Sequence, residues 1–263
     1  MKTQAPIGVL DSGLGGLSVL VALRQRMPAE DFVYCADSGN APWGERSPDF
    51  ITQRCDRIVN FLLEQDAKAI VLACNTATAI AAEHLRCWCP VPVIGIEPAV
   101  KPAVQSSPSG KIGVLATSRT IESPRYASLL ERFAQDAHVI SQPAPGLMEC
   151  VEQGRFDAPS TRSLLSRYLT PMLGAGVDTL VLGCTHYPFL SPVIGELTGN
   201  KLRILEPGPA VAKVTRDRLS STGTLRSGSR QGTETFYIKD VQRFSHTLSL
   251  LWPEKRPAHE LPV

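Results

Sequence analysis

The order of short apolar runs, and of the polar residues that end them, constrains this chain more than any other feature. Residues 7–12 read IGVLDS, residues 72–76 LACNT and residues 95–100 GIEPAV. The same kinds of segment return in the same order as IGVLATS (112–118), LGCTH (182–186) and ILEPGPAV (204–211). Ile7 and Ile112 are 105 positions apart, Cys74 and Cys184 110, and Glu97 and Glu206 109. Each segment alone is short and common; three in one order at nearly one offset describe an internal duplication. The apolar runs (7–10, 31–37, 69–74, 91–96, 111–117, 138–140, 179–184 and 202–206) are continuous rather than alternating, as strands buried on both faces are. Helical spacing fills 16–27, 47–65, 76–86, 120–135, 160–174 and 189–198. The reading is an α/β fold: two similar lobes with mainly parallel sheets flanked by helices, and a ligand cleft between them at the carboxyl ends of the strands. A helix over 209–220, a strand at TFYIK and a helix over 241–252 pack back on the first lobe, and the last residues, PEKRPAHELPV, are expected to fray.

Composition removes several classes. At 263 residues and 43% hydrophobic, the chain can bury one large core or two smaller ones. Lys and Arg number 27 against 25 Asp and Glu, with no long basic block, which weighs against a nucleic-acid partner. No run of about 18 apolar residues exists, so no membrane span is expected. The opening MKTQAPIGVLDSG reaches glycine and aspartate too early for a signal-peptide core, and the expected location is cytoplasmic. Seven cysteines without repeated CxxC pairs argue against a disulfide framework or a zinc ribbon. Cys87 and Cys89 in RCWCP read as surface or packing cysteines, and no metal site is expected.

The duplicated thiols are the candidate chemistry. A cysteine between a strand and a helix N-terminus feels the positive end of the peptide dipoles, which is expected to lower its pKa from about 8.5. Asn75, Thr76 and Thr185 add small donors, and backbone N–H groups at a helix start can hold a carboxylate or phosphate. Two such bases about one anionic ligand suit removal of a proton from one face of a carbon and return of a proton to the other. Asp11, ending the first strand, could bind an amino group or assist Cys74; His186 could tune Cys184. Blander readings stand beside these. A buried cysteine is usually a small hydrophobe. The DSGLGG segment could cradle a nucleotide, although it matches neither GxGxxG nor GxxxxGK[ST]; its Gly13, Gly15 and Gly16 equally suit a tight turn with close backbone approach. A cleft that binds an anion without turning it over is a third reading.

The segments GVLDSGLGGLSVL, APWGERS, LACNTATA, IGIEPAVKPA, IGVLAT, VEQG and LVLGCTHYPFL span residues 7 to about 212. In this order they resemble the cofactor-independent glutamate racemases of the aspartate/glutamate racemase superfamily. The resemblance implies interconversion of L- and D-glutamate by two-base proton transfer without pyridoxal phosphate or any other cofactor. Cys74 then serves one enantiomer and Cys184 the other. Asp11 and His186 are their helpers, and Glu152 is a further acid near the second thiol. Ser12, Gly44, Asn75, Thr76, Thr117, Thr120 and Thr185, with Asp11 and His186, fall where the family binds substrate. The implied architecture inserts a lobe of residues 98–207 into one built from 1–97 and 208–263. The implied assembly is a homodimer supplying D-glutamate for peptidoglycan. Duller roles exist here too: Glu152 as a solvated charge, Thr117 and Thr120 as helix caps, His186 as a structural hydrogen bonder. The chain departs from the family at Trp43, where Pro-Tyr-Gly is usual. The indole replaces a hydroxyl at a different reach, so an aspartate or broader amino-acid substrate is the alternative that this substrate-binding position leaves open.

Overall fold

The computed structural model describes residues 3–252, 254 and 256–263. The continuous apolar runs form parallel strands in two sheets. The first contains β1 (Ile7–Asp11), β2 (Phe32–Ala36), β3 (Ala69–Leu72) and β4 (Val93–Ile94) in the order β2-β1-β3-β4. The second contains β5 (Lys111–Ala116), β6 (His138–Pro143), β7 (Thr179–Gly183) and β8 (Arg203–Leu205) in the order β6-β5-β7-β8. The two orders are the same pattern, so the sequence duplication is a duplication of topology. Strands β9 (Glu234–Ile238) and β10 (Ala258–Glu260) extend the first sheet beyond β2, also in parallel.

Eleven α-helices cover the described sheets: α1 (Leu17–Arg26), α2 (Pro48–Glu64), α3 (Asn75–Trp88), α4 (Val100–Ser106), α5 (Ser118–Ile121), α6 (Pro124–Phe133), α7 (Leu147–Glu152), α8 (Pro159–Gly174), α9 (Ser191–Thr198), α10 (Gly208–Ser221) and α11 (Val241–Leu251). Strand alternation divides the first sheet's core. Ile7, Val9 and Val71 pack on the side of α1, with Leu17, Leu20 and Leu23. Leu10, Ile70 and Leu72 pack on the other side with Ile51, Ile58 and Leu62 of α2. Each such fully buried side chain contributes about 1.5–3 kcal/mol of transfer free energy. Helix α10 packs against α1. No helix among the described residues is long and apolar enough to cross a membrane.

Three expectations need correction. The helix read over 120–135 is two, because Ser123 caps a new helix by accepting from the Tyr126 N–H at 3.1 Å and Pro124 cannot continue the old one. Helices α4 and α7 are additional; at seven and six residues they are too short to show a period. The C-terminal segment does not fray as expected. Residues 258–260 pair with β9, Leu261 is fully buried, and the Val263 carbonyl accepts from Arg54 at 2.9 Å. Pro253 and Lys255 lie outside the described residues.

Candidate active site

Cys74 follows β3 and Cys184 follows β7, the strands next to β1 and β5 in the middle of their sheets. Both line one cavity of about 590 Å³, counting its open mouth. The carboxyl ends of β1, β3, β5 and β7 therefore meet there, and the two thiols come to it from different sheets.

Cys74 is the N-cap of α3. Its Sγ accepts from the Ala77 N–H at 3.4 Å and donates to Ser12 Oγ at 3.4 Å. The expected lowering of its pKa is reversed: burial, followed by the charge of Asp11, pushes the thiol up to about 12, against the smaller opposing pull of Ser12 and Ala77. Loss of hydration outweighs two weak donors. Asp11 itself is fully buried behind the cavity wall. One carboxylate oxygen accepts from the N–H groups of Gly16 (2.8 Å) and Gly13 (3.3 Å), and the other from Thr185 Oγ1 (3.4 Å). Burial raises its pKa to about 6, although His186 and the loop N–H groups pull the other way. Its contacts hold the β1–α1 loop and tie that loop to the second sheet.

Cys184 has a different neighbourhood. Its Sγ lies 3.7 Å from His186 Nδ1, and His186 Nε2 lies 2.7 Å from Glu152 Oε1. Backbone donors of the first half complete the cluster: Leu14 N–H reaches Glu152 Oε1 at 2.5 Å, and Gly15 N is 3.2 Å from His186 Nε2. Burial would lower the His186 pKa, but the contacts with Cys184 and Glu152 outweigh it and carry it well above the usual value. The glycine-rich loop now has a reason. A Cβ at Gly13 would stand 2.3 Å from Glu152 Oε1, and one at Gly15 would stand 2.3 Å from His186 Nδ1. Only bare backbone lets the second half's acid and imidazole lie this close.

The remaining predicted residues divide. Ser12, Trp43, Gly44, Asn75, Thr76, Thr117, Thr185 and His186 line the cavity. Thr76 and Thr117 share a hydroxyl contact of 3.0 Å across the two halves. Thr117 also caps α5, accepting from the Thr120 N–H at 3.2 Å. Thr120 does not reach the cavity lining; its hydroxyl stands 3.0 Å behind that of Thr117. Both polar atoms of the Asn75 amide and the Trp43 indole Nε1 are buried without a hydrogen-bond partner among the described residues. Such groups are costly unless a guest completes them. The third repeated element does not join the site. Glu97 and Glu206 follow the edge strands β4 and β8; Glu97 pairs with Arg125 at 2.6 Å, and Glu206 accepts from Ser191 at 3.2 Å. Sequence reading overlooked Met148 and Glu149, presented by α7 after the PAPG turn (143–146). The signal was that turn, where Gly146 adopts φ +87°. Among the described residues no group of three or more His, Cys, Asp or Glu is placed to ligate a metal ion.

Comparison with known proteins places the chain in a lineage. The chain is 49% identical over 259 residues to a glutamate racemase of Ectopseudomonas mendocina (strain ymp), covering 98% of each chain. Its fold superposes on the crystal structure of the glutamate racemase isoform RacE1 from Bacillus anthracis with a TM-score of 0.90, at 31% identity over 99% of this chain and 98% of that one. The Escherichia coli glutamate racemase, solved in complex with L-glutamate, matches with a TM-score of 0.86 at 29% identity, covering 97% of each. The family described as Asp/Glu/Hydantoin racemase matches residues 7–215, and the chain belongs to that family.

Proposed function

We propose that this chain interconverts L- and D-glutamate by proton transfer between Cys74 and Cys184. The carrying observation is that both thiols line one small cavity, each delivered by its own sheet. One thiolate takes the α-proton from one face while the other thiol delivers a proton to the opposite face, and the roles exchange for the other enantiomer. Asn75, the hydroxyls of Thr76, Thr117 and Thr185, and the Trp43 indole are the cavity's ligands for the substrate's carboxylates and amino group. With its pKa raised to about 12, Cys74 is set as a proton donor. A substrate ammonium group offsets the field of Asp11, the second of the causes that hold this thiol up after burial. Glu152 and His186 serve Cys184, and Asp11 holds the loop on which they rest. The residues present complete this mechanism without an added cofactor.

We take residues 1–97 with 208–263 as one lobe and 98–207 as the inserted second, supported by the strand membership of the two sheets. A cytoplasmic homodimer supplying D-glutamate for peptidoglycan extends the reading, on the strength of the family resemblance. The test uses purified protein in heavy water with each glutamate enantiomer and no added cofactor. Both solutions should lose optical activity and gain deuterium at the α-carbon, with aspartate as specificity control. Folded protein that exchanges neither enantiomer contradicts the proposal.

A further inference from the structure

Tyr34 lies in the middle of β2, in register with Val9 of β1 and Phe236 of β9, and its ring is fully buried with theirs on the α1 side of the sheet. Phe236 meets that ring edge-on, with 6.0 Å between centroids. A phenylalanine would fill the same space. The hydroxyl needs a separate reason, because a buried O–H is costly without a partner. Its partner is the Gly13 carbonyl, which accepts from Tyr34 Oη at 2.7 Å. The hydroxyl lies close under the glycine-rich loop, where a Cβ at Gly16 would stand 2.9 Å from it. The second half has no such contact at the duplicated position. There Val114, 105 residues after Val9, pairs with Ser141, whose hydroxyl meets that of Tyr126 at 2.5 Å.

The Gly13 carbonyl and the Leu14 N–H belong to one trans peptide unit, so they point to opposite sides of one rigid plane. Tyr34 draws the carbonyl toward β2, and the N–H on the far side reaches Glu152 Oε1 at 2.5 Å. The same oxygen lies 2.7 Å from His186 Nε2, and Nδ1 of that ring lies 3.7 Å from Cys184 Sγ. Gly13 itself does not fix the plane, since glycine tolerates rotation in both senses. Cys74 stands outside this chain of contacts: its sulfur meets a serine hydroxyl and the Ala77 N–H.

We propose that Tyr34 is a positioning residue for Cys184: its hydroxyl locks the Gly13–Leu14 peptide plane, and the plane holds the Glu152 carboxylate against His186, which faces the thiol. Tyr34 is not among the residues that line the cavity, so it acts through Glu152 and not on the substrate. Removing the hydroxyl frees the plane to turn and takes the Leu14 N–H from Glu152. Proton transfer at Cys184 is then burdened, and transfer at Cys74 is spared. The inference rests on the two-thiol reading above.

The experiment compares Tyr34→Phe, which keeps the ring, with the unaltered chain by the isotope effects on racemisation of α-deuterated L- and D-glutamate. Equilibrium between enantiomers fixes the ratio of their kcat/KM values, so rates alone do not tell which thiol is burdened. The isotope effects do. Where Cys184 takes the deuteron, a slower transfer at Cys184 enlarges the effect; where Cys74 takes it, the burdened step comes afterwards and the effect shrinks. The two values should therefore move apart in Tyr34→Phe, with racemisation slowed roughly 2–10-fold, the worth of one hydrogen bond. Glu152→Gln should move them apart in the same sense, and adding Tyr34→Phe to it should change little more, as expected of residues in one chain of contacts. Exchange of the Leu14 amide hydrogen, read without substrate, should quicken in Tyr34→Phe. Isotope effects that change alike, an unaltered Leu14 exchange, or full additivity in the double variant overturns the proposal. Absence of any racemisation by the unaltered chain overturns the underlying two-thiol reading instead.

Discussion

The two halves share a strand order but surround their thiols differently. Cys74 sits at a helix start with a hydroxyl and a backbone amide for company, and burial with the nearby Asp11 charge pushes it up to about 12. Cys184 sits before a turn that brings an imidazole to it, with a carboxylate behind the ring. Duplication therefore supplies the positions of two thiols but not matching surroundings. The difference arises because the halves interlock. The first half contributes a side-chain-poor loop, and the second lays His186 and Glu152 on it while Thr185 reaches Asp11.

The largest expected effect falls on the thiols. Cys74→Ser and Cys184→Ser should each cut racemisation by at least about 10²–10⁴-fold, the scale of a lost general acid–base group. A variant retaining most of its turnover, read by polarimetry, would break the symmetry of roles. Next comes the interlock. Gly15→Ala places a methyl group on the His186 ring, and overpacking of this kind costs about 1–3 kcal/mol. Thermal unfolding should fall accordingly, with activity falling further. An unchanged melting temperature and unchanged rate would mean that the loop does not carry the imidazole.

Asp11 sharpens the contrast electrostatically. Its folded-state pKa of about 6 lies above the usual 3.8, so between about pH 4 and 6 the folded chain holds a proton that the unfolded chain has released. This group's contribution to stability therefore declines as pH rises through that window. Asp11→Asn should remove that slope from denaturant titrations. It should also lower the Cys74 pKa, shifting the pH profile of Cys74 alkylation toward lower pH. A profile that stays in place would assign the elevated pKa to burial alone. The smallest effect belongs to Thr120, which stands behind Thr117. Thr120→Val should cost about 0.5–1.5 kcal/mol of stability for one hydrogen bond and change KM less than Thr117→Val does.

Much of the frame was readable before any coordinates. Continuous apolar runs identified the parallel strands, and the offset between Cys74 and Cys184 identified the duplication. What escaped has physical causes. A six-residue helix such as α7 has no measurable period, so Glu152 was legible only through family resemblance. Glu97 and Glu206 repeat as faithfully as the cysteines, but no sequence pattern says that their strands lie at sheet edges. The docking of β10 depends on backbone pairing by three exposed residues, which composition cannot reveal. The direction of the Cys74 shift was misread because a helix-start dipole is local to the sequence while desolvation is not.

A crystal structure with glutamate bound tests the central geometry most directly. The substrate's α-carbon should lie between the two sulfurs, with Cys74 Sγ facing one side of it and Cys184 Sγ the other. Substrate seated elsewhere, or with both sulfurs on the same face, would contradict proton transfer between these two residues.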